Sequence, residues 1–225
     1  MQTINCHPSS EMLLKHAMGN TTEAESLIIS SHLAYCAECK AEVAKYENIG
    51  GFYLKSHDEL NVSESLWNNL IDKLDGLEQN SQEANYIDYK LNTALNNNGV
   101  RVPSFLHQYL SNASDTKKWK STINNVKYFN IDFKENSYKG KMLEIPPGKV
   151  MPKHSHEGLG ATMVFHGGYS DESGNYNTGD LVILEENEEH SPISSKRTGC
   201  ICLVIYSGSL KFKGILGSIL NFSKF

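Results

Sequence analysis

The chain has 225 residues, 26 acidic against 21 basic, a net charge of −5 and five cysteines. That length allows one large domain or two small ones, and the acidic balance argues against direct binding to a nucleic-acid backbone, which calls for clustered Lys and Arg. The polar start "MQTINCHPSSEM" lacks the layout of a signal peptide, and apolar runs such as "CICLVIY" fall far short of the roughly 18 residues that span a bilayer. An odd number of cysteines at uneven spacings does not read as a secreted disulfide framework. The expectation is therefore a cytoplasmic protein without membrane attachment.

In chain order, residues 8 to 75 carry helical signals. "SSEMLLKHAMGN" opens on serines that can cap a helix and closes on Gly19-Asn20. "TTEAESLIISSHL" places Thr22 and Glu25 at capping-box spacing. "CKAEVAKYENIGGFYL" predicts a longer helix with an interruption at Gly50-Gly51. "LWNNLIDKLDGL" sets Leu66, Leu70, Leu74 and Leu77 at helical intervals. The stretch from Gly76 to Gly99 is rich in Asn, Gln, Ser and Glu and reads as a linker.

From about Trp119 the pattern changes. "VKYFNIDF", "YKGKMLEI", "ATMVFHGGYS", "DLVILEE" and "CICLVIYSG" are short β-favouring runs broken by Gly, Pro and Asn, which suggests an antiparallel barrel or sandwich. The expected class is α+β in two domains. A small all-α domain occupies 1–78, a polar linker 79–101, and an all-β domain 102–225.

Two constellations carry chemistry. In "HLAYCAEC", His32, Cys36 and Cys39 stand at i, i+4 and i+7, on one face of a continuous helix or brought together by a turn before Cys36. One imidazole and two thiolates suit Zn2+, and a structural site needs a fourth ligand. His7 is the leading candidate, with Cys6 as the alternative. A helical domain of this size has a thin core, so a metal staple is energetically apt. The competing readings are two cysteines packed as small hydrophobes with His32 exposed, and a redox Cys-x-x-Cys pair, which usually accompanies a βαβ pattern that is absent here.

The second constellation is "GKVMPKHSHEGLGATMVFHGG". Gly148 precedes His154 by six residues, and alternation along a strand puts His154 and His156 on one face. "TGDLVILEENEEHSP" then brings His190. This arrangement resembles the two motifs of the cupin barrel, whose inward histidines bind one metal ion. Cupins usually place a glutamate where this chain has Gly160, and Glu157 is expected to face away from His156. Three ligands with an open position also describe a catalytic metal site.

Taken together, "TEAESLIISSHLAYCAECKAEV", "HSH", "GGYSDE", "GDLVILEENEEHSP" and "CICLVIYSGSLKF" resemble the ChrR family of zinc-binding anti-sigma factors along nearly the whole chain. The resemblance implies structural zinc on His7, His32, Cys36 and Cys39, and a cupin-type barrel with a second metal ion as an option at His154, His156 and His190. It implies a non-enzymatic protein that sequesters an extracytoplasmic-function sigma factor and releases it under stress, reactive oxygen in relatives. Cys200 and Cys202 resemble a cysteine pair of some members, with packing in a β core as the other reading. Two further classes stay open: a cupin metalloenzyme of dioxygenase type with a regulatory helical part, and a metal-free small-ligand sensor.

Overall fold

The computed structural model describes residues 3–58, 61–75, 86–89, 100–110, 119–122 and 124–213. α1 (Ser10–Ala17) is capped by Ser9, whose hydroxyl accepts from the Met12 N–H. It stops before Gly19, where φ of +66° is the left-handed backbone that glycine adopts without strain. α2 (Glu23–Leu33) has the complete capping box of Thr22 and Glu25. A tight turn separates it from α3 (Ala37–Lys55), with Cys36 as the N-cap. So His32 does not share a continuous helix with the two cysteines, and the turn reading is the one observed.

The expected interruption at Gly50-Gly51 does not occur. α3 runs through both glycines, and nothing lies within 4 Å of where their Cβ atoms would stand. Unbroken backbone hydrogen bonding outweighs the propensity cost of about 1 kcal/mol per glycine. α4 (Glu64–Asp75) carries Leu66, Leu70 and Leu74 as expected, while Leu77 and most of the expected linker lie outside the described residues. Inside that stretch, β1 (Tyr86–Tyr89) pairs antiparallel with β2 (Val100–Pro103), which leads through a single 3-10 turn into the short α5 (His107–Leu110).

The remaining elements are all strands: β3 (Lys120–Ser121), β4 (Lys127–Ile131), β5 (Tyr138–Ile145), β6 (His154–His156), β7 (Gly160–Ser170), β8 (Asn175–Asn177), β9 (Leu181–Leu184), β10 (Ile193–Ser194), β11 (Cys200–Ser207) and β12 (Leu210–Phe212). The five β-favouring runs read from the sequence are β4, β5, β7, β9 and β11. The main sheet runs β10-β7-β11-β5-β4-β3, with β8 and β9 also pairing with β7, and β12 pairs with β6. Every pairing is antiparallel.

β11 shows why its sequence is apolar at nearly every position. Ile201, Leu203 and Ile205 pack in one cluster with Leu27, Ile28 and Ile29 of α2, whereas Cys200, Cys202 and Val204 join Val126 and Ile145 in a second cluster. A strand covered on both faces alternates between two cores rather than between core and water. Met142 of β5 and Met163 and Phe165 of β7 belong to the first cluster too. α1, α2, α3 and α5 therefore share one continuous core with the sheet, while α4 lies outside it with its apolar residues exposed.

Candidate metal centres

Among the described residues, two groups of side chains converge as metal ligands do: His7, His32, Cys36 and Cys39, and His154, His156 and His190. In the first, the four ligand atoms lie within 4.8 Å of one another. His7 Nδ1 stands 3.4 Å from Cys36 Sγ and 3.3 Å from Cys39 Sγ. With bonds of about 2.3 Å to sulfur and 2.0 Å to nitrogen, the S···N edge of a tetrahedral site is about 3.5 Å, so the spacing fits one. The Cys39 N–H points at Cys36 Sγ at 3.4 Å, a donor suited to a thiolate.

His32 is fully buried, and its Nδ1 lies 2.9 Å from the carbonyl oxygen of Gly179, which can only accept. That makes Nδ1 the N–H and leaves Nε2 with a lone pair, and Nε2 is buried without a hydrogen-bond partner. Burial pushes the His32 imidazole down to about 4 and, helped by the adjacent Cys36, the Cys39 thiol up to about 12. A dication reverses the thiol's preference, because coordination favours thiolate. The donor set fits a metal ion. Cys6 is not part of it; its thiol is half-buried and packs beside the second core cluster.

The segment carrying His7 is held by the barrel. Asp180, fully buried at the start of β9, accepts from Asn5 N–H (2.7 Å) and Cys6 N–H (3.0 Å) on one oxygen and from Asn177 N–H (2.7 Å) on the other. The Leu181 N–H returns a bond to Cys6 O at 3.1 Å. Gly179 sits between, at φ +98°, and a Cβ there would come within 2.9 Å of Ile4. The barrel thus supplies both the seat of the His7 segment and the acceptor that orients His32.

In the second group, His154 and His156 project from β6 and His190 crosses to them through the His154–His190 bridge. His154 Nδ1 faces Pro152 O at 2.8 Å, and His190 Nδ1 faces the Asp171 carboxylate at 3.2 Å. Both partners accept, so both Nδ1 atoms are N–H and both Nε2 atoms carry lone pairs. Yet the two Nε2 atoms stand 3.0 Å apart. Two lone pairs at that distance need a cation between or beside them, a proton or a metal ion. Burial, with the neighbouring histidines adding to it, pushes His154 and His156 down to about 4, so neither of these two rings favours holding the proton. Here too the donors fit a metal.

Among the described residues, no carboxylate completes this trio. A Cβ at Gly160 would lie 3.0–3.1 Å from the His156 ring, so the glycine is what lets that ring occupy its place. Glu157 is exposed and paired with Lys211, facing away as expected, and His166 lies outside the cluster. Cys200 and Cys202 are buried in the sheet. The hydrogen bond between them and burial push the Cys200 thiol far above its ordinary range, the setting of an inert packed thiol. Sequence reasoning missed Asp171, Asp180 and Gly179. Asp171 and Asp180 stand inside the quoted motifs "GGYSDE" and "GDLVILEE", but no spacing rule links either to a histidine, and a backbone carbonyl leaves no trace in side-chain identity.

With this geometry in hand, the chain compares with known proteins as follows. Residues 108–209 match the family model of the ChrR cupin-like domain. The anti-sigma-E factor ChrR of Cereibacter sphaeroides is 27% identical over 219 residues, 97% of either chain. A chain in the crystal structure of Rhodobacter sphaeroides SigE in complex with the anti-sigma ChrR matches at a TM-score of 0.71 and 25% identity, over 91% of this chain and 100% of that one. The likeness covers the helical part and the sheet alike, so along nearly its whole length the chain is similar to ChrR, with a helical N-terminal part followed by a cupin-like domain.

Proposed function

We propose that this chain is an anti-sigma factor that sequesters an extracytoplasmic-function sigma factor through its helical part, 1–78, and releases it in a stress response involving the cupin-like domain, 102–225. The observation that carries the reading is the likeness over 91% of the chain to a ChrR chain solved together with SigE. The chain also offers surface for such a partner. α4 exposes Leu66, Trp67, Leu70, Ile71 and Leu74, and the end of α3 exposes Ile49, Phe52, Tyr53 and Leu54. Apolar stripes at helical spacing lie down in grooves of a partner. A sigma factor binds promoter DNA and so carries basic surface, which suits a chain of net charge −5.

In this reading the metal of the helical site is zinc, held by His7, His32, Cys36 and Cys39, and it supplies a structural cross-link when bound. The residues do the rest. The turn before Cys36 sets the angle between α2 and α3, and the His7 segment, clamped by Asp180, ties that angle to the barrel. A change in the barrel has a direct route to the clamp. The site of action is the cytoplasm, with no direct contact to nucleic acid, and no described helix is long and apolar enough to cross a membrane.

A pull-down from the native host tests the proposal, with zinc-loaded chain beside a Cys36→Ser, Cys39→Ser variant. A sigma factor retained by the first and lost from the second is the expected result; no sigma factor in either overturns the reading. The three-histidine cluster without a carboxylate favours a second reading, a cupin metalloenzyme of dioxygenase type. His154→Ala separates the two, leaving sigma retention intact under the first and abolishing a turnover under the second.

A further inference from the structure

Helix α2 is fastened to the rest of the molecule at both ends. At its C-terminal end the His32 ring is held by Gly179 O. At its N-terminal end a second fastening joins three separate pieces: α2, α5 and the segment between β4 and β5. Glu23 lies at its centre. Its Oε1 accepts from the Tyr109 hydroxyl of α5 at 2.8 Å, and its Oε2 accepts from the Lys134 N–H at 2.9 Å. In return the Glu23 N–H donates to the Glu135 carboxylate, with both oxygens at 3.1 Å. An anion at that place also suits the positive end of a helix.

Glu25 works on two sides as well. Its Oε2 accepts from the Thr22 N–H at 2.9 Å and from the Thr22 hydroxyl at 3.0 Å, while its Oε1 accepts from the Tyr138 hydroxyl of β5 at 2.8 Å. One carboxylate therefore caps the helix and docks it. The groups bonded to these four oxygens are all donors. The Lys134 and Thr22 N–H groups can do nothing else. Burial, then the facing glutamate, pushes Tyr109 and Tyr138 up to about 12, so both keep their protons. Only an ionised carboxylate accepts freely on both oxygens at once; a neutral acid must turn a donor toward one of its partners. The bonds from Lys134 and Tyr109, with the Lys134 charge, hold the Glu23 carboxyl below the usual carboxylate range. Burial pulls the Glu25 carboxyl upward, but the bonds from Thr22 and Tyr138, with the Lys15 charge, outweigh it and hold this group below the range too.

We propose that Glu23 and Glu25 form a charge-operated latch on the N-terminal end of α2, closed on the barrel while both are ionised and opened when either is neutralised, with the His32 end left seated on Gly179. The sign follows from the depressed carboxyls. The latch contributes fully above the ordinary carboxylate value, about 4.3, and is lost as pH falls through the lower folded values. Opening is confined to one end because the two fastenings share no residue. Asp180 and Gly179 hold the His7 segment and the C-terminal end of α2, whereas the latch uses α5, β5 and the segment between β4 and β5. The proposal concerns the docking of two parts of one chain and survives failure of the anti-sigma reading.

Amide exchange on the full, metal-loaded chain at neutral pH tests it, read at the Lys134 N–H and at the Ser26 N–H, which bonds Thr22 O at 2.9 Å. Glu25→Gln neutralises the carboxylate and keeps a residue suited to the capping box. Tyr138→Phe removes the hydroxyl that Glu25 holds. Each is expected to speed exchange at both amides by about tenfold, the size of one charge-assisted bond. The double variant is expected to speed it by no more than the larger single effect. Glu23→Gln is expected to act on the Lys134 N–H in the same way. The Asn5 and Cys6 N–H groups, held by Asp180, are expected to keep their protection. Unchanged exchange in Glu25→Gln overturns the proposal, and so do fully additive single effects, which mean that Glu25 and Tyr138 act separately. Equal acceleration at Asn5 and Cys6 overturns it too, because α2 then comes away as a whole.

Discussion

The barrel histidine cluster is buried and the helical one is buried except for the exposed His7, and the two draw their support from different distances. The barrel trio is oriented from within its own domain, by Pro152 O and the Asp171 carboxylate. The helical cluster is oriented from outside it, by Gly179 O on His32 and by the Asp180 clamp on the segment that carries His7. One site belongs to a domain, and the other belongs to a seam. A metal ligand set that spans a seam reports on whether the two parts are docked, which a self-contained site cannot do.

The sharpest way to break this contrast is to remove the thiolates. Cys36→Ser with Cys39→Ser is expected to lose one metal equivalent per chain and about 5 kcal/mol or more of stability, while the barrel cluster keeps its metal. Elemental analysis beside urea unfolding reads both; an unchanged midpoint at lower metal content would mean that the site is not structural.

A cut at the seam itself should have the next largest effect. Asp180→Ala leaves three N–H groups without their acceptor and is expected to cost about 3 kcal/mol. Amide exchange should speed up first at Asn5 and Cys6, and affinity for metal should fall at the helical cluster alone. An equal fall at the barrel cluster would dissolve the distinction drawn above.

The smallest effect is expected at the barrel. Asp171→Asn removes the carboxylate behind His190 and should weaken metal binding there by about tenfold, with the helical cluster untouched, as read by competition against a chromophoric chelator. Unchanged affinity would mean that Asp171 does not set the His190 tautomer.

Much of this was legible beforehand, for identifiable reasons. Caps act through neighbours three residues apart, so Ser9 and the Thr22–Glu25 box could be read directly. His32, Cys36 and Cys39 are close in sequence and converge through one turn. Gly50 and Gly51 misled because glycine lowers helix propensity without forbidding a helix, and neither has a packed neighbour that would exploit a break. The near-continuous apolar run of β11 announced a buried strand but not that its two faces join two different cores.

The sequence by itself determined the local content of this protein: where helices begin, which runs become strands, and which side chains can hold a metal, since each depends on residue type at short spacing. Only the tertiary structure decided that α2 lies on the sheet, that His7 rather than Cys6 completes the helical cluster, and that Asp180 and Gly179 hold it there. Those relations join residues distant along the chain through backbone groups and burial, which no local pattern of side chains encodes.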